Sequence, residues 1–83
     1  MKLKAFDKNT GKEVKIGDTI IDFRGDRAIL TAITRVNELN YGGHRSGKIC
    51  AAWENGDRRE VYDKVFNLIV KYVEDSPYLE EYE

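Results

Sequence analysis

Short runs of apolar and β-branched residues recur along the chain, separated by residues typical of turns, and within residues 2–6 apolar and polar positions alternate. Such alternation points successive side chains to opposite faces of a strand, so it predicts β-structure with one buried face. No apolar period of 3.6 residues persists for three helical turns, which disfavours a helical bundle. The stretches with strand character are residues 3–6, 12–16, 19–23, 27–36, 48–53, 58–62 and 68–73.

The segments between these stretches predict turns of different kinds. Residues 24–26 read as a hairpin turn, with Gly25 at positive φ and Asp26 accepting backbone hydrogen bonds. Asn55 and Gly56 form the strongest hairpin signal, because this pair favours the primed turns that match strand twist. Residues 37–47 contain three glycines and little apolar character, which predicts a long loop.

Short strands that follow one another through turns are typical of a small antiparallel barrel. Residues 62–66 are too short for a stable helix and predict one 3₁₀ turn before the last strand. Barrel closure removes exposed strand edges, so we expect an all-β, SH3-like barrel of five to six strands. We expect one domain over residues 1–73 and a flexible acidic tail over residues 74–83.

Composition limits the function further. A domain of 83 residues has room for one small core and a shallow site, which argues against a deep substrate cavity. The net charge is −1, but residues 24–59 carry seven basic side chains against four acidic ones, and residues 60–83 carry two against seven. All six arginines therefore lie in the basic middle of the chain, and the acidic residues dominate its end.

The residues themselves disfavour catalysis. Nucleophilic catalysis needs a thiolate or hydroxyl beside a base, yet the single cysteine, Cys50, lies in a predicted strand and the single histidine, His44, in a predicted loop. One cysteine also builds neither an intrachain disulfide nor a zinc site of the usual spacing. We expect a protein that is not an enzyme and that uses no metal and no cofactor.

Residues 42–48 match the G-x-x-x-x-G-K spacing of a phosphate-binding loop. Ile49 stands where that motif needs Ser or Thr for magnesium, and a strand is predicted where it needs a helix, so nucleotide hydrolysis is disfavoured. Two interpretations remain. His44, Arg45 and Lys48 form an anion-binding nest in one, and the segment is a flexible polar loop in the other.

Six segments together resemble small bacteriophage and prophage proteins of unknown function, through a DFRG(D/E) turn and a terminal VF(N/D)L segment. The resemblance covers about residues 11–70 and implies a phage origin and an SH3-like barrel, without any catalytic residue. The matching segments are GKEV at 11–14, IGDTI at 16–20, DFRGD at 22–26, GKI at 47–49, REVY at 59–62 and VFNL at 65–68.

We expect the protein to act by binding another protein, because Arg and Tyr are enriched among the residues that dominate interfaces. The phage resemblance implies a host or phage protein as the partner and the host cytoplasm as the place. No apolar run is long enough for a signal peptide or a membrane span, so we expect no membrane partner. The candidate binding residues are Arg24, Arg27, Tyr41, His44, Arg45, Lys48 and Arg58.

Two alternatives stay open. An arginine-rich face interleaved with aromatic rings has the ingredients of a surface for nucleic acid or a phosphate ligand. Against this, the sequence pI is about 5.8, whereas domains that bind nucleic acid by charge usually exceed roughly 9. The acidic tail and the basic face are also complementary between copies, which would give a homo-oligomer.

Overall fold

Seven strands and one 3₁₀ turn make up the computed structural model, which describes residues 2–39, 42–43 and 45–74. The predicted all-β class and the 3₁₀ turn (Asp63–Phe66) are confirmed. Tyr41, His44 and residues 75–83 lie outside the described residues. The strands are β1 (Lys2–Asp7), β2 (Glu13–Val14), β3 (Thr19–Ile21), β4 (Arg27–Leu39), β5 (Arg45–Trp53), β6 (Arg58–Tyr62) and β7 (Leu68–Val73).

The strands form two antiparallel sheets, in the orders β2-β1-β7 and β3-β4-β5-β6. The last strand pairs with the first, from Lys2 opposite Val73 to Asp7 opposite Leu68, and not with β6. Among the described residues, strand pairing does not join the two sheets into one closed barrel. In the same residues, no helix is long and apolar enough to cross a bilayer.

The core lies between the inward faces of the two sheets. Trp53 is 7% exposed and its ring centre lies 5.4 Å from that of Phe66, so the indole points into the core. Burial of such rings is the main stabilising contribution in a domain of this size. The buried apolar residues are Ala5, Ile20, Ala28, Leu30, Ile49, Ala51, Trp53, Phe66, Leu68 and Val70.

The prediction of a loop over residues 37–47 was wrong, because β4 continues to Leu39 and β5 begins at Arg45. Three register shifts interrupt the β4 and β5 pairing, and such bulges break the regular alternation by which a strand is recognised. Polar side chains replace apolar ones there: Ser46 is buried and its hydroxyl accepts a hydrogen bond from Arg35. Side-chain hydrogen bonds thus support strands that lack an apolar pattern.

The turn after β5 has a different type from the one predicted. Gly56 has a φ of 97° and its N–H donates to the Trp53 carbonyl oxygen at 3.0 Å. Asn55 has no positive φ, whereas the primed turn expected for Asn-Gly requires positive φ at both central residues. The turn is therefore an ordinary β-turn followed by a glycine bulge, and Gly25 serves the same purpose between β3 and β4, with a φ of 88°.

Candidate functional site

A buried carboxylate organises the turn between β3 and β4. Asp22 is 5% exposed, and its Oδ1 accepts hydrogen bonds from the backbone N–H groups of Arg24 and Asp26, both at 2.9 Å. Its Oδ2 accepts the indole N–H of Trp53 at 3.0 Å. The side chain that accepts the backbone hydrogen bonds of this turn is therefore Asp22 and not Asp26 as predicted. Asp22 begins the turn, and its carboxylate accepts from the N–H groups that follow it, as Asx residues do.

These contacts shift the pKa of Asp22. Burial raises the pKa, but the hydrogen bonds from Trp53, Asp26 and Arg24 and the positive charge of Arg24 lower it more, so the pKa lies below its ordinary value. Asp22 is consequently ionised at neutral pH. The negative charge holds the turn against the Trp53 side chain that closes the core.

Phe23 projects from this turn into solvent and is 78% exposed. Its backbone N–H donates to the Val65 carbonyl oxygen at 3.0 Å, which ties the turn to the 3₁₀ turn. The Phe23 ring is thus held on the surface by backbone that is fixed on both sides. The Arg24 guanidinium lies over this ring, and arginine and aromatic side chains are the types enriched among the residues that dominate protein interfaces.

A shallow cleft of about 260 Å³ lies beside Phe23. Val61 and Val65 line its apolar part, and each aromatic ring of the cleft carries an arginine. Arg24 Cζ lies 5.6 Å from the centre of the Phe23 ring, and Arg59 Cζ lies 5.3 Å from that of Trp53. We call this site the Phe23 cleft; its lining residues are Phe23, Arg24, Trp53, Arg59, Val61 and Val65.

The charges around the Phe23 cleft are balanced. Arg24 lies 3.5 Å from Asp22 Oδ2 and 3.8 Å from Asp26 Oδ2, and Arg59 lies 3.4 Å from Asp57 Oδ2. Both guanidinium groups therefore already face carboxylates and offer little unbalanced positive charge to a phosphate. The cleft is suited to an apolar group with polar neighbours, as a protein side chain would provide.

The size of the cleft indicates the kind of ligand. Pockets for drug-sized molecules have volumes of roughly 300–1,000 Å³ and enclose most of the ligand. The Phe23 cleft is smaller, and a neighbouring depression beside Arg27 and Glu54 measures about 240 Å³. The Phe23 cleft is therefore too small to enclose a drug-sized molecule.

The structure separates the predicted binding residues into groups. Arg24 lies in the Phe23 cleft. Arg27 and Arg58 lie opposite Ile21 and Ala52 on the outward face of the larger sheet, whereas the Arg59 of the cleft belongs to the other face of β6. Arg45 lies at the far end of β5, about 25 Å from Trp53 at the usual rise per residue of a strand. Its guanidinium group donates to the Asn37 carbonyl oxygen at 3.5 Å. One surface therefore does not gather all of these residues.

Lys48 lies between the two ends of β5, opposite Tyr62 of β6. The predicted nest of His44, Arg45 and Lys48 has only Arg45 and Lys48 among the described residues, and three positions of a strand separate them. Because alternate strand residues face opposite ways, the side chains at positions 45 and 48 belong to opposite faces of a regular strand.

Sequence reasoning missed Phe23 and Arg59 as members of the site. Phe23 was expected as the last residue of a strand, whereas β3 ends at Ile21. Arg59 was not among the candidate binding residues, and its position over Trp53 depends on the pairing of β6 with β5, which no local pattern reports. The DFRGD segment was the available signal, since it places an aromatic residue beside turn residues.

Comparison with known proteins found no family model, no curated protein and no solved structure that matches the chain. The function is therefore argued from the site alone, and the resemblance to bacteriophage proteins stays a prediction.

Proposed function

We propose that the protein is a non-catalytic module that binds another protein through the Phe23 cleft. The observation that carries the proposal is an aromatic ring, Phe23, that is 78% exposed on a turn held by the buried carboxylate of Asp22. Aromatic and arginine side chains dominate the energy of protein interfaces, and the cleft has two of each.

The anchoring of the turn favours tight binding. A partner that meets a mobile loop must order it, at a cost of about 0.5–1.5 kcal/mol for each immobilised flexible side chain. The hydrogen bonds of Asp22 and the bond from Phe23 N–H to Val65 fix the backbone before any partner arrives. The part of the ordering cost that concerns the backbone of this turn is thus met during folding.

The partner that fits this surface is a protein segment with an apolar side chain and acidic neighbours. The apolar side chain would fill the space beside Val61 and Val65. Arg27 lines the neighbouring depression together with Trp53 and forms no ion pair with any described residue, so an acidic group of the partner would complement it. A phosphate backbone would fit less well, because Arg24 and Arg59 are already paired with carboxylates.

We further propose that the two sheets are arranged as an SH3-like barrel and that the protein is of phage origin. The support is the order of the strands, the 3₁₀ turn before the last strand and the pairing of the last strand with the first. On this proposal the partner is a host or phage protein in the host cytoplasm. The motif segments that resemble phage proteins include DFRGD, which forms the turn of the Phe23 cleft.

The test is a comparison of captured proteins between variants. The wild type, Phe23→Ala and Tyr72→Ala would each be immobilised and exposed to nuclease-treated lysate of the cells in which the protein acts. Tyr72 is a matched control, since it is also an exposed aromatic residue, 54% exposed, but lies on β7. We expect a stoichiometric protein that the wild type and Tyr72→Ala retain and Phe23→Ala loses.

Two results would count against the proposal. Equal retention by all three variants would place the interface elsewhere on the molecule. Retention that disappears with nuclease would favour the alternative, binding of nucleic acid by the arginine-rich face, and binding would then weaken steeply with salt.

A further inference from the structure

Tyr62 is the centre of a second surface, separate from the Phe23 cleft. It is 43% exposed at the end of β6, and three cationic groups lie within 6 Å of the centre of its ring. Lys48 Nζ lies at 5.4 Å, Lys64 Nζ at 5.7 Å and Arg35 Cζ at 5.9 Å. Two strands and the 3₁₀ turn thus bring cations to one ring, which we call the Tyr62 surface.

Hydrogen bonds fix Arg35 in this position. Its Nη2 donates to the Ser46 hydroxyl at 2.8 Å and lies 3.4 Å from the Ser46 carbonyl oxygen. Its Nε is buried and has no hydrogen-bond partner among the described residues. Backbone pairing places Arg35 opposite Lys48, and Lys48 opposite Tyr62, so the three side chains form one row across the sheet.

The Tyr62 surface carries more positive than negative charge. Glu60 lies 3.7 Å from Lys48 Nζ and accepts a hydrogen bond from the Thr34 hydroxyl at 2.6 Å. Arg35 and Lys64 form no ion pair with any described residue. Asp63 is fully buried beneath, where its Oδ2 accepts hydrogen bonds from Asn37 and the Val70 N–H, so it does not reach the surface.

We propose that the Tyr62 surface binds the phosphate group of a phosphomonoester. Such a group carries a charge of about −1.5 to −2 at pH 7 and three acceptor oxygens. It therefore suits a surface on which three cationic groups lie within 6 Å of one ring centre. Arg35 and Lys64 supply unpaired positive charge, and Lys64 adds donors that rotate freely. The ring of Tyr62 keeps the cations near one another and so prepares the site for one compact dianion.

A nucleic-acid strand fits this surface less well than a single phosphate group. A strand needs a groove of positive charge along several nucleotides. On the outward face of β6, Glu60 stands between Tyr62 and Arg58, because alternate residues share a face. The negative charge of Glu60 interrupts the positive path, so the observations favour an isolated phosphate group.

Inorganic phosphate is the first probe, titrated at constant ionic strength into the ¹⁵N-labelled protein while amide shifts are recorded. We expect saturable shifts at residues 35, 48 and 62–64. Lys64→Gln should weaken binding roughly threefold to fivefold, the effect of one exposed charge pair. The matched control is Lys71→Gln, because Lys71 Nζ lies 5.6 Å from the Phe6 ring on the other sheet, and it should leave the affinity unchanged.

Further ligands identify the source of the phosphate group. Glycerol phosphate represents a free metabolite, and a phosphoserine peptide represents a modified protein. The ligand that binds with the lower Kd shows which source of phosphate the Tyr62 surface prefers. Equal weakening by both lysine variants, or shifts that never saturate, would indicate an adventitious ion only and overturn the proposal. Tighter binding of a single-stranded oligonucleotide at the same residues would also overturn it, in favour of nucleic acid.

Discussion

Gly47 lies where β5 passes very close to β4 and to a buried side chain. A Cβ at this position would come within 2.7 Å of the Arg35 carbonyl oxygen, 2.7 Å of Asp63 Oδ2 and 3.0 Å of the Asn37 nitrogen. Two of these atoms belong to backbone. The third belongs to a fully buried carboxylate that already accepts two hydrogen bonds. We therefore predict that Gly47→Ala is strongly destabilising.

The magnitude follows from what must move. Overpacking a core by one carbon costs about 1–3 kcal/mol, and loss of a hydrogen bond to a charged group costs about 1.5–3 kcal/mol. Since Asp63 must shift or the hairpin must open, we expect a loss of about 3–5 kcal/mol. A domain of 83 residues has a total stability of about 4–12 kcal/mol.

Thermal unfolding followed by circular dichroism is the assay, and we expect Tm to fall by more than about 12 °C. Gly11→Ala is the matched control, because Gly11 has a φ of 75° but nothing within 4 Å of the added Cβ. Its cost is backbone strain alone, roughly 1–2 kcal/mol. If Gly47→Ala lowered Tm no more than Gly11→Ala, the close packing of β5 on Asp63 would be refuted.

Two further predictions concern the Asp22 turn and its indole partner. Trp53→Ala should lower the free energy of unfolding by about 3–5 kcal/mol in urea titrations, because a buried ring and its hydrogen bond to Asp22 are lost; a change below about 1 kcal/mol would contradict the burial of Trp53. Because folding lowers the pKa of Asp22, its carboxylate stabilises the fold above about pH 4 and loses this effect as the pH falls through the folded-state pKa. Asp22→Asn should therefore flatten the fall of Tm as the pH drops below about 5; an unchanged acid profile would show that Asp22 does not carry this dependence.

The strands built on apolar runs were predictable from the sequence, and those supported by polar contacts were not. Residues 48–53 and 68–73 are short runs rich in apolar residues, and both lie in strands of the structure. The extension of β4 and β5 past residue 37 depends on Ser46 bonding to Arg35 and on Asp63 bonding to Asn37. These partners are 11 and 26 residues apart in sequence, so no local pattern reports them.

The candidate site was predictable in residue type but not in arrangement. Arginine and aromatic residues were expected to form the binding surface, and the Phe23 cleft contains two of each. Strand register decides which arginines meet: it brings Arg59 over Trp53 and leaves Arg45 at the far end of β5. The buried position of Asp22, which fixes Phe23 in solvent, likewise depends on the tertiary contact with Trp53.

Calorimetry of the captured protein with the purified wild type, Phe23→Ala and Tyr72→Ala tests the central claim most directly. Loss of an interface hot spot costs about 2 kcal/mol or more, so the Kd of Phe23→Ala should rise roughly thirtyfold, while that of Tyr72→Ala stays within about twofold of the wild type. An equal Kd for the wild type and Phe23→Ala, with both folded, would contradict the assignment of the Phe23 cleft as the binding site.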